Sequence, residues 1–213
     1  MKPQKFEVVF DGVYLCFALI AGILFLSHGQ VLCAIWAWVL CFGDAFHLVP
    51  RMQSLLKEPT ETVKQRMNRG LQISSITMTV FYILLYYIWK ETYSVSISNG
   101  IVFLIWITAI IRILICLLPQ NKWGESDASM YLSLLRNGVF LITGLLVVYL
   151  FAKVANVYMV ASILISFGCY LPVTLWSKKH PMIGMLMLPK TCAYVAMLLY
   201  FFIRSARVFF YFV

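Results

Sequence analysis

The sequence predicts an all-α fold: a polytopic membrane bundle of seven transmembrane helices, forming a single integral membrane domain over residues 1–213. Three observations carry that reading. The chain is 62% hydrophobic and only 12% charged, with a mean hydropathy of +0.89, whereas a soluble domain is about half apolar and about a quarter charged. Its apolar residues fall into seven runs, each near the roughly 20 helical residues that cross a hydrocarbon core of about 30 Å. The connections between runs are short and basic, as in loops that face anionic lipid. The net charge of +9 is therefore read as a membrane-surface property, and no nucleic-acid partner is expected.

The first span is expected over 8–27. Lys2 and Lys5 ahead of it have the look of a signal peptide, but Glu7 and Asp11 interrupt the run and the small-residue cleavage pattern is weak. A tight Ser27-His28-Gly29-Gln30 turn leads to the second span, 31–50. The next stretch, 51–70, is the longest polar segment. Met52, Leu55, Leu56, Val63 and Met67 beside Lys57, Lys64 and Arg66 predict a short helix lying on the membrane surface, broken at Pro59.

The third span, 71–90, carries Ser75, Thr79, Tyr82 and Tyr86 at i, i+4, i+7 and i+11. This hydroxyl stripe on one helix face either lines a polar cavity or bonds neighbouring helices. The fourth span, 99–118, contains Arg112, and the fifth, 134–152, opens with Ser133, Arg136 and Asn137. The sixth and seventh, 156–176 and 184–204, contain Pro172 and Pro189, which are expected to bend them. The seventh also holds Lys190 and, one turn on, Tyr194. All six cysteines lie inside spans without CxxC spacing, so neither a disulfide framework nor a zinc site is indicated. No metal or cofactor is expected.

Orientation follows from the basic residues. One side holds Lys2, Lys5, Arg51, Lys57, Lys64, Arg66, Arg69, Lys122, Arg136, Lys178 and Lys179; the other holds Lys90, Lys153, Arg204 and Arg207. The N-terminus is thus expected in the cytoplasm and the C-terminus outside, in a multi-pass protein of the cell membrane. With that orientation Asp44 and Arg112 lie about 9 Å above the cytoplasmic helix ends, and Lys190 lies at a similar depth. The strongly polar groups of the spans gather in the cytoplasmic half. The other half reads as almost pure Leu, Ile, Val, Phe and Tyr, which predicts a pocket open to the cytoplasm with an apolar upper end fit for an acyl chain.

The chemistry concentrates in Gly43-Asp44-Ala45-Phe46-His47-Leu48-Val49-Pro50-Arg51. Asp44, His47 and Arg51 are three and four residues apart and leave one helix face. A carboxylate in a lipid-embedded span is costly and turns to protein or water, so it marks a functional site by default. Asp44 and His47 are the catalytic candidates; Arg51, Arg112, Arg136, Asn137, Lys190 and Tyr194 are the substrate-binding candidates. Guanidinium and ammonium groups suit a phosphate head group. There is no GxSxG, HExxH or GxxxxGK[ST] sequence, and three histidines (His28, His47, His180) do not make an intramembrane zinc site.

The Gly43-Asp44 pair followed by Leu48, Pro50 and Arg51, with the final helix Thr191-Cys192-Ala193-Tyr194 running to Arg204, resembles the lysoplasmalogenase-like membrane proteins. The resemblance implies a compact multi-span bundle that hydrolyses the vinyl-ether bond of a lysophospholipid, with Asp44 as the acid. Three features depart from that family: it has eight spans; Ser74 and Ser75 stand without a histidine where a Ser-His is expected; and its late acidic residue has no counterpart, because the sixth and seventh spans contain no Asp or Glu. The expected function is an intramembrane lipid-processing hydrolase whose partner is a membrane lipid or lysophospholipid. A seven-helix sensor of a lipid or hydrophobe and a small proton-coupled transporter stay open beside it. The sequence carries no signal of oligomeric state.

Overall fold

Seven long helices form where the seven apolar runs lie. In the computed structural model they are α1 (Pro3–Ser27), α2 (Val31–Leu56), α3 (Glu61–Thr92), α4 (Asn99–Leu117), α5 (Met130–Lys153), α6 (Val157–Trp176) and α7 (Met187–Tyr211). The structure describes residues 3–125, 127–177 and 180–211, and their side chains other than those of 3, 4, 181 and 206–211. Lys2, Lys178, Lys179 and the side chain of Arg207, which entered the orientation argument, lie outside the described residues. Each of the seven helices is long and apolar enough to cross a membrane. No strand occurs among the described residues.

The helix starts have local causes. Thr60, Ser98, Ser129 and Asn156 each accept a hydrogen bond from a backbone N–H of the turn that follows, which satisfies a donor the helix cannot. Gly29 (φ +73°) closes the α1–α2 hairpin in the left-handed region that glycine enters without strain.

The segment 51–70 corrects the sequence reading. It contains no separate surface helix: α2 runs on through Pro50 to Leu56, α3 begins at Glu61, and four residues connect them. Its rise in polarity marks where the helices leave the apolar zone, while the break is set by Pro59 and the Thr60 cap. Pro189 is a second correction. It falls in the first turn of α7, where its missing N–H and fixed φ are tolerated, so it starts the helix instead of bending it. The expected start of that span is a 3-10 segment, Pro181–Leu186.

Consecutive helices pack as antiparallel neighbours, α7 returns against α1 to close a ring, and α3 leans across it onto α5. At the end away from the α1 N-terminus the interior is filled with aromatic side chains. Trp36, Phe81, Trp89, Phe151 and Phe201 are buried there, with the Trp36 and Phe81 rings stacked at 4.9 Å. The end of that half is not purely apolar: Tyr93 receives a hydrogen bond from Asn156 (2.9 Å), lies 3.2 Å from the Tyr200 hydroxyl, and has the Arg204 guanidinium over its ring.

Candidate functional site

At the other end, which holds the α1 N-terminus and is called the polar end below, two helices face each other like a ladder. Glu7, Asp11 and Tyr14 lie at i, i+4 and i+7 on α1 and so share a face. Asp44 and Arg51 are seven residues apart on the antiparallel α2. Glu7 pairs with Arg51 at the rim, and the Tyr14 hydroxyl donates to Asp44 Oδ2 at 2.8 Å. A third helix completes the setting, because Ser74 Oγ of α3 donates to Asp44 Oδ1 at 3.0 Å. Asp44 is 8% exposed and sits at the seam of α1, α2 and α3.

That seam is close because of two glycines. A Cβ on Gly43 would overlap the Thr77 side chain, and one on Gly70 would overlap the Phe46 carbonyl oxygen. The Gly-Asp pair therefore has a packing reason: the glycine brings α3, and with it Ser74, up to the carboxylate.

Asp11 lies between the two rungs. It is 6% exposed, and its Oδ2 is buried with no hydrogen-bond partner. The charges acting on it are those of Glu7, Arg51 and Asp44. The sequence reading took Asp11 only as an interruption of the first apolar run and missed it as a site residue, although its helical spacing with Glu7 and Tyr14 was there to be read. His47 is half-buried; its Nδ1 is buried without a partner, under the charges of Arg51, Asp44 and Lys190.

Across the ring stand the cations. Arg112 is 1% exposed; its Nη1 donates to Thr79 Oγ1 at 2.9 Å, its guanidinium lies 3.2 Å over the Phe140 ring, and its Nε has no partner. Lys190 is 6% exposed, with Nζ 5.4 Å from the Tyr170 ring and 5.1 Å from the Tyr194 ring. No carboxylate forms an ion pair with either cation among the described residues. Tyr194, 2% exposed, joins the two sides, since it experiences the charges of both Asp44 and Arg112. The hydroxyl stripe of α3 resolves inward: Thr79, Tyr82 and Tyr86 are buried.

The remaining candidates have other duties. Arg51 is taken by Glu7 at the rim. Arg136 donates to Asn121 Oδ1 (2.8 Å) and Ser133 Oγ (3.3 Å) and stacks over Trp123 at 4.1 Å, which ties the α4–α5 connection to α5. Asn137 accepts from the Tyr170 hydroxyl at 2.9 Å and so holds one of the rings beside Lys190. These contacts assign Arg51 and Arg136 to the frame and leave Asp44, His47, Arg112, Lys190 and Tyr194 facing the interior.

From Met78 to Trp89 the inward face of α3 is buried in the usual alternation, whereas residues 71–77 are all half-exposed, as are residues 169–175 of α6. A surface cavity of about 310 Å³ lies between the start of α3 and the α4–α5 connection, lined by Gln65, Asn68, Arg69, Lys122, Trp123 and Glu125. None of the sequence-predicted site residues lines it. No group of three His, Cys, Asp or Glu side chains capable of holding a metal occurs among the described residues.

Comparison of the chain with protein-family models, with curated proteins and with solved structures finds no match.

Proposed function

We propose that the chain is an intramembrane hydrolase of vinyl-ether lysophospholipids, working at the polar end of the bundle, with that end facing the cytoplasm. One observation carries the reading: a buried carboxyl, Asp44, lies in the same half of the bundle as two buried cations, Arg112 and Lys190, that have no carboxylate partner among the described residues. Unpaired buried charges are costly in a span, and a ligand bearing an anion offsets that cost. Arg112 and Lys190 hold the phosphate, and Tyr194 lies between them and the acid. The resemblance of Gly43-Asp44 to the lysoplasmalogenase-like signature points the same way. With the far half filled by aromatic rings, the acyl chain leaves sideways, between helices into lipid. The same filling argues against a transport route through the bundle.

In this scheme Asp44 delivers a proton to the vinyl carbon remote from the ether oxygen, which places positive charge on the carbon bonded to that oxygen as an oxocarbenium ion. Water adds there. The resulting hemiacetal collapses to an aldehyde and the free glycerol hydroxyl. His47, beside Asp44 and under its charge, orients the acid.

The test is aldehyde release from lysoplasmalogen by detergent-purified protein. Asp44→Asn keeps the shape and removes the transferable proton, and loss of general acid catalysis lowers the rate by about 10²–10⁴. His47→Gln is expected to lose less. Equal rates for wild type and Asp44→Asn remove Asp44 from the chemistry. Absence of release by the wild type on every vinyl-ether lipid ends the hydrolase reading in favour of lipid sensing.

A further inference from the structure

We infer that Asp11 is the second working carboxyl of this site, the base that takes the proton from the attacking water while Asp44 acts as the acid. The inference rests on the hydrolase reading above. Its structural ground is the middle of the α1–α2 ladder. The rungs on either side are occupied, Glu7 with Arg51 and Tyr14 with Asp44. Asp11 lies between them at 6% exposure, with Oδ2 buried and no partner for it. The charged groups that act on it are Glu7 from its own helix and Arg51 and Asp44 from α2. The single cation among these is already held by Glu7. A carboxyl with a buried oxygen that finds no partner is costly in a membrane span, and a leucine or asparagine serves packing at that place better.

The hydrogen bonds divide the labour. Both oxygens of Asp44 are engaged, one by Tyr14 and one by Ser74. The Ser74 hydroxyl is able to reverse its bond and accept from a protonated Asp44. Asp11 instead keeps a vacant oxygen, which is what a base needs to receive a proton from water. It also provides a second acid that the late helices lack: α6 contains neither Asp nor Glu, and neither does α7.

The steps balance without any other reactant. Protonated Asp44 gives its proton to the vinyl carbon remote from the ether oxygen as the C=C π bond is consumed. Ionised Asp11 takes a proton from water as the water oxygen bonds to the oxocarbenium carbon. On collapse, Asp44 recovers a proton from the hemiacetal hydroxyl, the bond from carbon to the glycerol oxygen breaks, and Asp11 returns its proton to that oxygen. Water and the vinyl ether are consumed, aldehyde and alcohol are released, and both carboxyls end as they began.

The experiment measures pH–rate profiles of purified wild type, Asp11→Asn and Asp11→Glu on a lysoplasmalogen, with binding of the saturated-ether lysolipid as a parallel readout. A base and an acid together give a bell-shaped wild-type profile, whose limbs belong to the coupled pair. Asp11→Asn is expected to lose the acidic limb and about 10²–10⁴ in rate, while binding the saturated ether as the wild type does. Asp11→Glu is expected to retain measurable turnover with a displaced acidic limb. An active wild type with an equally active Asp11→Asn, or an acidic limb that survives in it, overturns the role of Asp11 and leaves the hydrolase reading standing. Loss of saturated-ether binding along with rate replaces the base with a binding role. If Asp11→Asn does not fold, Asp11→Glu decides, and an unmoved limb there overturns the inference. A wild type without any vinyl-ether hydrolysis removes the hydrolase reading and this role together.

Discussion

Arg112 shows what a single residue reveals here. A guanidinium 1% exposed, bonded to one hydroxyl and stacked on one ring, with an orphaned Nε, is a poor structural choice. Replacing buried charge by apolar side chains of similar volume is often neutral or stabilising by about 1–4 kcal/mol. Thr79, its partner, also donates to the Ser75 carbonyl and stays satisfied without it. Arg112→Met is therefore expected to leave the melting temperature in detergent unchanged or raise it. Under the proposed function the same substitution is expected to weaken lysolipid binding by about tenfold or more, the size of a lost hydrogen bond to a charged group. A variant that melts earlier and binds normally would show that Arg112 is a packing residue.

At the scale of elements, the α2–α3 pair is what makes the acid site. The two helices approach closely enough at Gly43 and Gly70 for Ser74 to reach Asp44. At Gly70 the obstacle to a side chain is backbone, the Phe46 carbonyl and the His47 Cα, and backbone does not turn aside as a flexible side chain does. Gly70→Ala is expected to cost about 1–3 kcal/mol through overpacking and to lower hydrolysis by drawing Ser74 away from Asp44. Gly138 of α5, where an added Cβ meets nothing within 4 Å, is the control. Alanine there is expected to be neutral or stabilising by up to about 1 kcal/mol. Thermal melts of the two variants make the comparison. Equal melting temperatures would remove the close-approach account of the Gly43–Gly70 seam.

The whole molecule is a closed ring with two unlike halves, one filled by aromatic rings and one that buries charges without an ion-pair partner among the described residues. Loop charge is the ground for expecting the polar end in the cytoplasm, since Arg51, Lys57, Lys64, Arg66 and Arg69 all lie there. Thr60 and Ser94 are exposed residues in connections at opposite ends. With Thr60→Cys and Ser94→Cys each introduced into a cysteine-free background, a membrane-impermeant thiol reagent added to intact cells is expected to label only the second. Labelling at position 60 alone inverts the bundle and places the acid site outside.

Composition and apolar run length were enough to determine seven helices and their order, because each span must satisfy its backbone hydrogen bonds within itself. Helix spacing also brought Asp44, His47 and Arg51 to the polar end, and the cost of a charge in lipid singled out Asp44, Arg112 and Lys190. Tertiary structure alone decided what those groups meet. Arg51 was free on paper and is bound to Glu7; Arg136 was a ligand on paper and braces a connection. Asp11 read only as a break in the first apolar run, because the pattern along one helix says nothing of what the neighbouring helix covers. The upper half read as room for a chain, yet Trp36, Phe81 and Phe201 fill it. Composition records that those rings are apolar. Only the packing of helices distant in sequence determines whether apolar residues enclose a space or occupy it.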